Sequence, residues 1–236
     1  MRSVAAQNYA HVEHIIIDGA SKDNTLSIVK KFATDSTIVL SETDKGIYDA
    51  MNKGLGIATG DVVGFLNSDD VYNENDSLSK IAQAMSESGS DACYGDLIYV
   101  SHKNASRVVR HWKSRAYEAG LCAKGWMPAH PTFYARKTIY DKYGGFNTKF
   151  KLQADFEMAL RLLDVHKIRT TYLPTVLIKM RTGGASNASI RNIIRGNLEA
   201  SRACIQNGLP GGVLFILRKI LSRVPQFFSA LSYKMK

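Results

Sequence analysis

Apolar runs alternate along this chain with apolar positions spaced three and four apart. Residues 12–18, 37–40, 61–66 and 91–100 read as strands, because β-branched and aromatic side chains crowd each run and turn-forming residues bound it. Between them, Leu26, Val29 and Phe32 recur at helical spacing. So do Ile47, Met51, Leu55 and Ala58, and then Leu78, Ile81, Ala82 and Met85. Strand, helix and strand in succession predict parallel βαβ units with right-handed crossovers, and hence the α/β class. The run at 61–66 reads as a buried parallel strand. It delivers Asn67-Ser68-Asp69-Asp70 at its C-terminal end, the edge at which open α/β sheets bind ligands.

The pattern loosens after residue 100. Arg107, Arg110, His111, Trp112, Lys113 and Arg115 lie close together and read either as a solvated face or as an anion-binding loop. Residues 153–162 open a helix with acids in its first turn, burying Phe156, Ala159, Leu160 and Leu163. Residues 168–180 read as extended, and 180–187 as a glycine-containing loop into a helix at 187–207. Val213, Leu217, Ile220, Val224, Phe227 and Leu231 then alternate in steps of four and three, with Arg218, Lys219 and Arg223 between them and Pro225 placed to kink the segment. This basic amphipathic stretch suits a membrane surface or a neighbouring core. The expected division is a catalytic unit over 1–186 and a helical basic extension over 187–236.

Composition narrows the class. With 236 residues, 45% hydrophobic and 22% charged, the chain can bury a substantial core and is not expected to be disordered. The net charge of +10 is uneven: residues 191–236 hold eight Lys or Arg against Glu199 alone. That imbalance points the tail toward an anionic surface. A folded nucleic-acid reader is not expected, since charge there alternates with apolar bulk. Cys93, Cys122 and Cys204 are odd in number and far apart, which argues against a disulfide framework and a zinc site and favours a reducing, cytoplasmic home. The first residues lack the apolar core of a signal peptide, and no apolar stretch is long enough to span a bilayer.

Four places carry candidate chemistry. Asp18 ends a strand before a loop dense in turn residues, and is either a turn former or a ligand contact. Asp69 and Asp70 repel one another, so burying them calls for a cation or strong donors, although both also suit a helix cap. His130 sits between Pro128 and Pro131 on stiffened backbone. Asp155 and Glu157 open a helix, where they either complement its dipole or hold a catalytic carboxylate on a rigid element.

In order and spacing, these pieces resemble the inverting glycosyltransferase family 2, of the GT-A fold, especially its bacterial polysaccharide-assembly members. The carriers are Ile15-Ile16-Ile17-Asp18-Gly19-Ala20-Ser21, Asp44-Lys45-Gly46-Ile47-Tyr48-Asp49-Ala50-Met51-Asn52, Leu66-Asn67-Ser68-Asp69-Asp70, His130, Gly144-Gly145-Phe146 and Ala154-Asp155-Phe156-Glu157. The resemblance implies a Rossmann-like sheet flanked by helices, and a sugar moved from a nucleotide diphosphate-sugar, a UDP-sugar above others, to a glycan or polyprenyl-linked acceptor at the inner face of the membrane. It implies Mg²⁺ or Mn²⁺ at Asp70 and Asp69, and donor contacts from Asp18, Lys45, Asn52 and Asp69. It further implies Asp155 as catalytic base, an acceptor pocket lined by Trp126 and His130, and a loop at Arg181 and Gly183-Gly184 over the diphosphate. Asn67 stands where the family commonly has an acid. The family's usual first strand has no counterpart before residues 2–9, so an open sheet edge is expected, and with it either reduced ligand contacts or a chain that serves only as a binding partner. A nucleotidyltransferase is disfavoured, because no glycine-rich phosphate loop is visible near the start.

Overall fold

The computed structural model describes residues 1–34, 36–182 and 189–222. A one-turn helix α1 (Arg2–Ala5) leads to β1 (His14–Asp18), α2 (Thr25–Phe32), β2 (Thr37–Ser41), α3 (Ile47–Ile57), β3 (Val62–Val63), β4 (Val71–Tyr72) and α4 (Ser77–Ser88). The long strand β5 (Ala92–Val100) follows, then β6 (Val108–Trp112), β7 (Tyr134–Arg136), α5 (Lys137–Tyr143) and α6 (Ala154–Leu160). The last of these continues as a π-helical turn over Arg161–Val165. β8 (Thr170–Arg181), α7 (Ile190–Gln206) and α8 (Val213–Leu221) complete the described chain.

The α/β class is the one observed, with the strands divided between two sheets. β1 and β2 pair in parallel, from His14 opposite Thr37 to Asp18 opposite Ser41, and among the described residues they pair only with each other. The main sheet runs β3-β7-β5-β8-β4, with β6 added on β5. It is mixed: β5 and β8 are parallel, while β3 with β7, β5 with β7, β5 with β6 and β4 with β8 are antiparallel. The run at 61–66 therefore departs from expectation. Only β3 joins a ladder, antiparallel to β7, and the run is half-buried. Just past the ladder, Gly64 leaves room for the Tyr134 ring, since a Cβ there would stand 2.1 Å from Cε1 of Tyr134.

Buried almost throughout, β5 forms the middle of the core. Against it packs α6, whose Phe156, Met158 and Leu160 are buried together with Leu162 and Leu163 of the π-turn. α7 closes this side with the small residues Gly196, Ala200 and Ala203, which let its backbone approach. Cys93, Cys122 and Cys204 are free and buried, and burial pushes the Cys93 and Cys204 thiols up to about 12.

α8 is attached through Phe215 and Lys219. The Lys219 ammonium, 1% exposed, lies 2.6 Å from Gln153 Oε1 and 5.1 Å from the centre of the Phe156 ring. Gly125 makes this approach possible: its φ is +92°, and a Cβ on it would meet Lys219 Cα at 2.6 Å. The expected loop at Gly183-Gly184, and Val224, Pro225, Phe227 and Leu231 of the tail, lie outside the described residues.

Candidate active site

The β1 edge presents Asp18, which is buried. Its Oδ2 accepts from the Ser21 N–H at 3.0 Å and the Ser41 hydroxyl at 2.6 Å. Hydrogen bonds from Ser21 and Ser41 hold the carboxyl below its ordinary range, so it is ionised near neutral pH. Gly19 allows the neighbouring loop to close in, because a Cβ there would lie 2.5 Å from Asp44 Oδ2. In that loop Lys45 is exposed, and its backbone N–H donates to Asp49 Oδ2 at 2.9 Å. α3 is packed on β1 through Gly54, whose missing Cβ leaves room for Ile17.

The acidic turn follows β3. The Asp70 N–H donates to the Asn67 carbonyl at 3.1 Å, closing the turn, and Asn67 Nδ2 donates to Asp70 Oδ2 at 3.1 Å. Asp69 is exposed. Asp70 is 3% exposed, and its Oδ1 is buried without a hydrogen-bond partner. Burial first, and the charge of Asp69 second, push the Asp70 carboxyl up to about 7. Among the described residues, no cluster of three or more His, Cys, Asp or Glu side chains is placed to hold a metal ion. The carboxylate pair still fits a divalent cation. An orphaned buried oxygen beside a like charge is costly alone, and a hard cation relieves both defects.

At the start of α6, Asp155 Oδ1 accepts from the Tyr48 hydroxyl at 3.1 Å and from the Phe156 N–H at 2.8 Å. Burial and the adjacent Asp155 push the Tyr48 phenol well above its ordinary value, so it stays a donor. Tyr48 stacks on Phe146 with ring centres 5.5 Å apart. Phe146 in turn meets Phe65 edge-on at 5.0 Å and His130 at 5.3 Å. Phe65 precedes the acidic turn by two residues, so one aromatic cluster joins that turn to the helix start carrying Asp155. His130 stacks on Phe65 at 5.9 Å. Burial lowers its pKa against the opposing charge of Asp155, leaving a neutral imidazole whose Nε2 is buried without a partner. Trp126 is half-buried and meets Tyr94 edge-on at 5.9 Å.

Asn52 is engaged at both ends. Its Nδ2 donates to the Phe146 carbonyl and its Oδ1 accepts the Phe146 N–H, each at 2.8 Å, which fastens α3 to the turn before α6.

Three partnerships lie outside the sequence reading: those of Tyr48, Glu157 and Asp96. Tyr48 follows Asp44-Lys45-Gly46-Ile47, and nothing in that run points to Asp155. Glu157 is buried and paired with Arg161 at 3.0 Å, while Arg161 also donates to the carbonyls of Tyr143, Gly144 and Gly145. Its spacing of four from Arg161 was the readable signal. Asp96 is buried on β5, accepting from the Ser114 N–H at 2.7 Å and the Tyr172 hydroxyl at 2.8 Å. It was hidden inside an apolar run.

Comparison with known proteins gives the family and the fold. Residues 1–152 match the family model described as glycosyl transferase family 2. A PGL/p-HBAD biosynthesis glycosyltransferase of Mycobacterium bovis (strain BCG / Pasteur 1173P2) is 30% identical over 193 residues, covering 80% of this chain and 73% of the relative. S. aureus TarS 1-349, solved in complex with UDP, superposes with a TM-score of 0.65 at 16% identity, over 99% of this chain and 70% of that one. The mannosyltransferase PcManGT of Pyrobaculum calidifontis, solved with GDP-Man and Mn2+, gives 0.63 at 18% identity, over 98% and 68%. These two solved structures establish the shared GT-A fold. The chain is a glycosyltransferase and belongs to glycosyl transferase family 2.

Proposed function

We propose that the chain transfers a sugar, with inversion, from a nucleotide diphosphate-sugar to a glycan or polyprenyl-linked acceptor at the cytoplasmic face of the membrane, in the assembly of cell-surface polysaccharide. The observation that carries this reading is the aromatic cluster that unites Asp155, on the first turn of a buried helix, with the acidic turn at Asp70. An inverting transfer needs one carboxylate opposite the leaving group, to take the acceptor hydroxyl's proton as that oxygen attacks the anomeric carbon. Asp155 accepts the Tyr48 and Phe156 bonds on Oδ1, which leaves Oδ2 to receive the proton, and Tyr48 fixes the carboxylate's rotation. Asp18 and Asp69 contact the nucleoside, with Lys45 alongside. Trp126 and His130 face the acceptor.

Asp70, with Asp69, would hold Mg²⁺ or Mn²⁺. Such an ion supplies charge neutralisation of the departing diphosphate. The donor assignment is supported by TarS, solved with UDP and with UDP-GlcNAc, and by PcManGT, solved with GDP-Man and Mn2+. A UDP-sugar is the donor we favour.

The test is calorimetric titration of UDP and GDP into the full chain with and without Mn²⁺, followed by transfer assays with the donor that binds. Metal-dependent binding, and loss of transfer in Asp155→Asn, are expected. Full transfer by Asp155→Asn would overturn the base assignment. A folded chain that binds neither nucleotide would point instead to a role as a binding partner.

A further inference from the structure

The α7–α8 hairpin carries an outward surface that no part of the site uses. In α7, Ile190, Ile194, Leu198 and Ile205 are exposed, Ile190 by 78%. At 100° per residue their spacing confines them to an arc of roughly 80°, turned away from the buried Gly196, Ala200 and Ala203. Arg191, Arg195 and Arg202 fall on the adjoining arc and are also exposed. In α8, Val213, Leu214, Leu217, Ile220 and Leu221 are exposed, Val213 by 74%, opposite the buried Phe215 and Lys219. Ile205 lies against Gly211, where a Cβ would meet it at 2.7 Å, so the apolar stripe of α7 ends where that of α8 begins.

Charge selects the occupant. Residues 190–222 expose Arg191, Arg195, Arg202 and Arg218 against the single acid Glu199, Lys219 being buried. Glu199 is engaged by Arg195 at 3.3 Å and by the Leu152 N–H at 2.7 Å. Beside it, a shallow cleft lined by Lys149, Arg195, Leu198 and Arg202 sets cations next to an exposed leucine. A second copy of this chain, itself of net charge +10, offers these arginines no complementary charge. Among the described residues, no helix is long and apolar enough to cross a membrane, so the face suits lying on one.

We infer that the outer face of the α7–α8 hairpin seats the enzyme on an anionic phospholipid bilayer, its apolar stripes at the acyl boundary and its arginines among the headgroup phosphates. The sequence places such contact in the segment from Val213 onward. The charge of residues 191–236 points the same way, and the structure adds the exposed apolar stripe of α7. The inference is independent of the donor, the acceptor and the metal.

The test is flotation of the full chain with vesicles of phosphatidylcholine alone, and with a third of the lipid replaced by phosphatidylglycerol. Binding at least about ten-fold stronger to the anionic vesicles, weakening in high salt, is expected. Arg191→Gln and Arg202→Gln should each weaken it about five-fold, and Leu198→Asp with Leu217→Asp should abolish it. Unchanged thermal unfolding shows that these surface variants remain folded. Equal binding to both vesicle types, no binding by the wild type, or full binding by the double Asp variant would overturn the inference. So would a dimer in lipid-free buffer that Leu217→Asp dissociates, since the face would then be a protein interface. UDP titration of the same variants separates this outcome from failure of the transferase reading.

Discussion

Replacing Asp70 by Asn should stabilise the metal-free protein at alkaline pH while destroying the site. The folded carboxyl sits at about 7 against an ordinary 3.8, raised by burial and by Asp69. Because the folded value lies above the unfolded one, ionisation opposes folding. The penalty is absent below pH 4, grows between pH 4 and 7, and is complete above that. At ~1.4 kcal/mol per pH unit, it reaches about 4 kcal/mol. The replacement amide can still accept from Asn67, but its own NH₂ is buried, which costs about 2 kcal/mol. The net gain is about 2 kcal/mol at pH 8, or a melting-temperature rise of roughly 4–8 °C for a chain of this size. By pH 5 the gain should vanish. Thermal melts in chelator at pH 8 and pH 5 give the comparison. Adding Mn²⁺ at pH 8 should then raise the wild type's melting temperature and leave the variant's unchanged. A variant that melts at or below the wild type in chelator at pH 8 would refute the premise that Asp70 is an uncompensated buried charge.

Other residues yield sharper functional readouts. Asp155→Asn should lower kcat by about 10²–10⁴-fold with unfolding unchanged, measured by product formation and by urea titration. Tyr48→Phe removes one hydrogen bond to a charged acceptor, so kcat should fall roughly ten-fold or more while nucleotide affinity holds. Glu157→Ala removes the buried carboxylate paired with the partly exposed Arg161, which keeps its carbonyl acceptors, and should cost about 1–3 kcal/mol of unfolding free energy in urea. Asn52→Ala frees both polar groups of the Phe146 backbone, costing about 2–3 kcal/mol in the same assay.

What was legible in the sequence was local. Helical spacing located α3 and α4, because each turns one face inward with a period set by its own backbone, while α6, buried nearly all round, was marked by the acids of its first turn. Strand direction was not legible at 61–66: an apolar run looks the same whether its neighbour runs parallel or, like β7, antiparallel. Asp70 and Asp155 were found because acids at a strand end and in a helix's first turn are unusual enough to prompt a question, and the family resemblance then supplied roles. The bonds of Tyr48 to Asp155 and of Asn52 to Phe146 were not legible because the partners lie about a hundred positions apart, a distance no periodic pattern spans. Lys219 was read with Arg218 and Arg223 as part of a basic surface. It is instead buried, since Gly125 opens a space that only the backbone of a distant turn could reveal.

That buried lysine keys α8 in rotation. A nine-residue helix held by apolar contacts alone can turn about its axis at modest cost, exchanging one greasy contact for another. With an ammonium lodged between Gln153 Oε1 and the Phe156 ring, a turn of one residue would leave a cation in apolar surroundings without its acceptor, several kcal/mol uphill. The helix therefore behaves as a shaft fitted with a key, and the slot is cut into the first turn of the helix that bears Asp155. The heading of its outer face is set by electrostatics, and it is registered to the chemistry by one side chain.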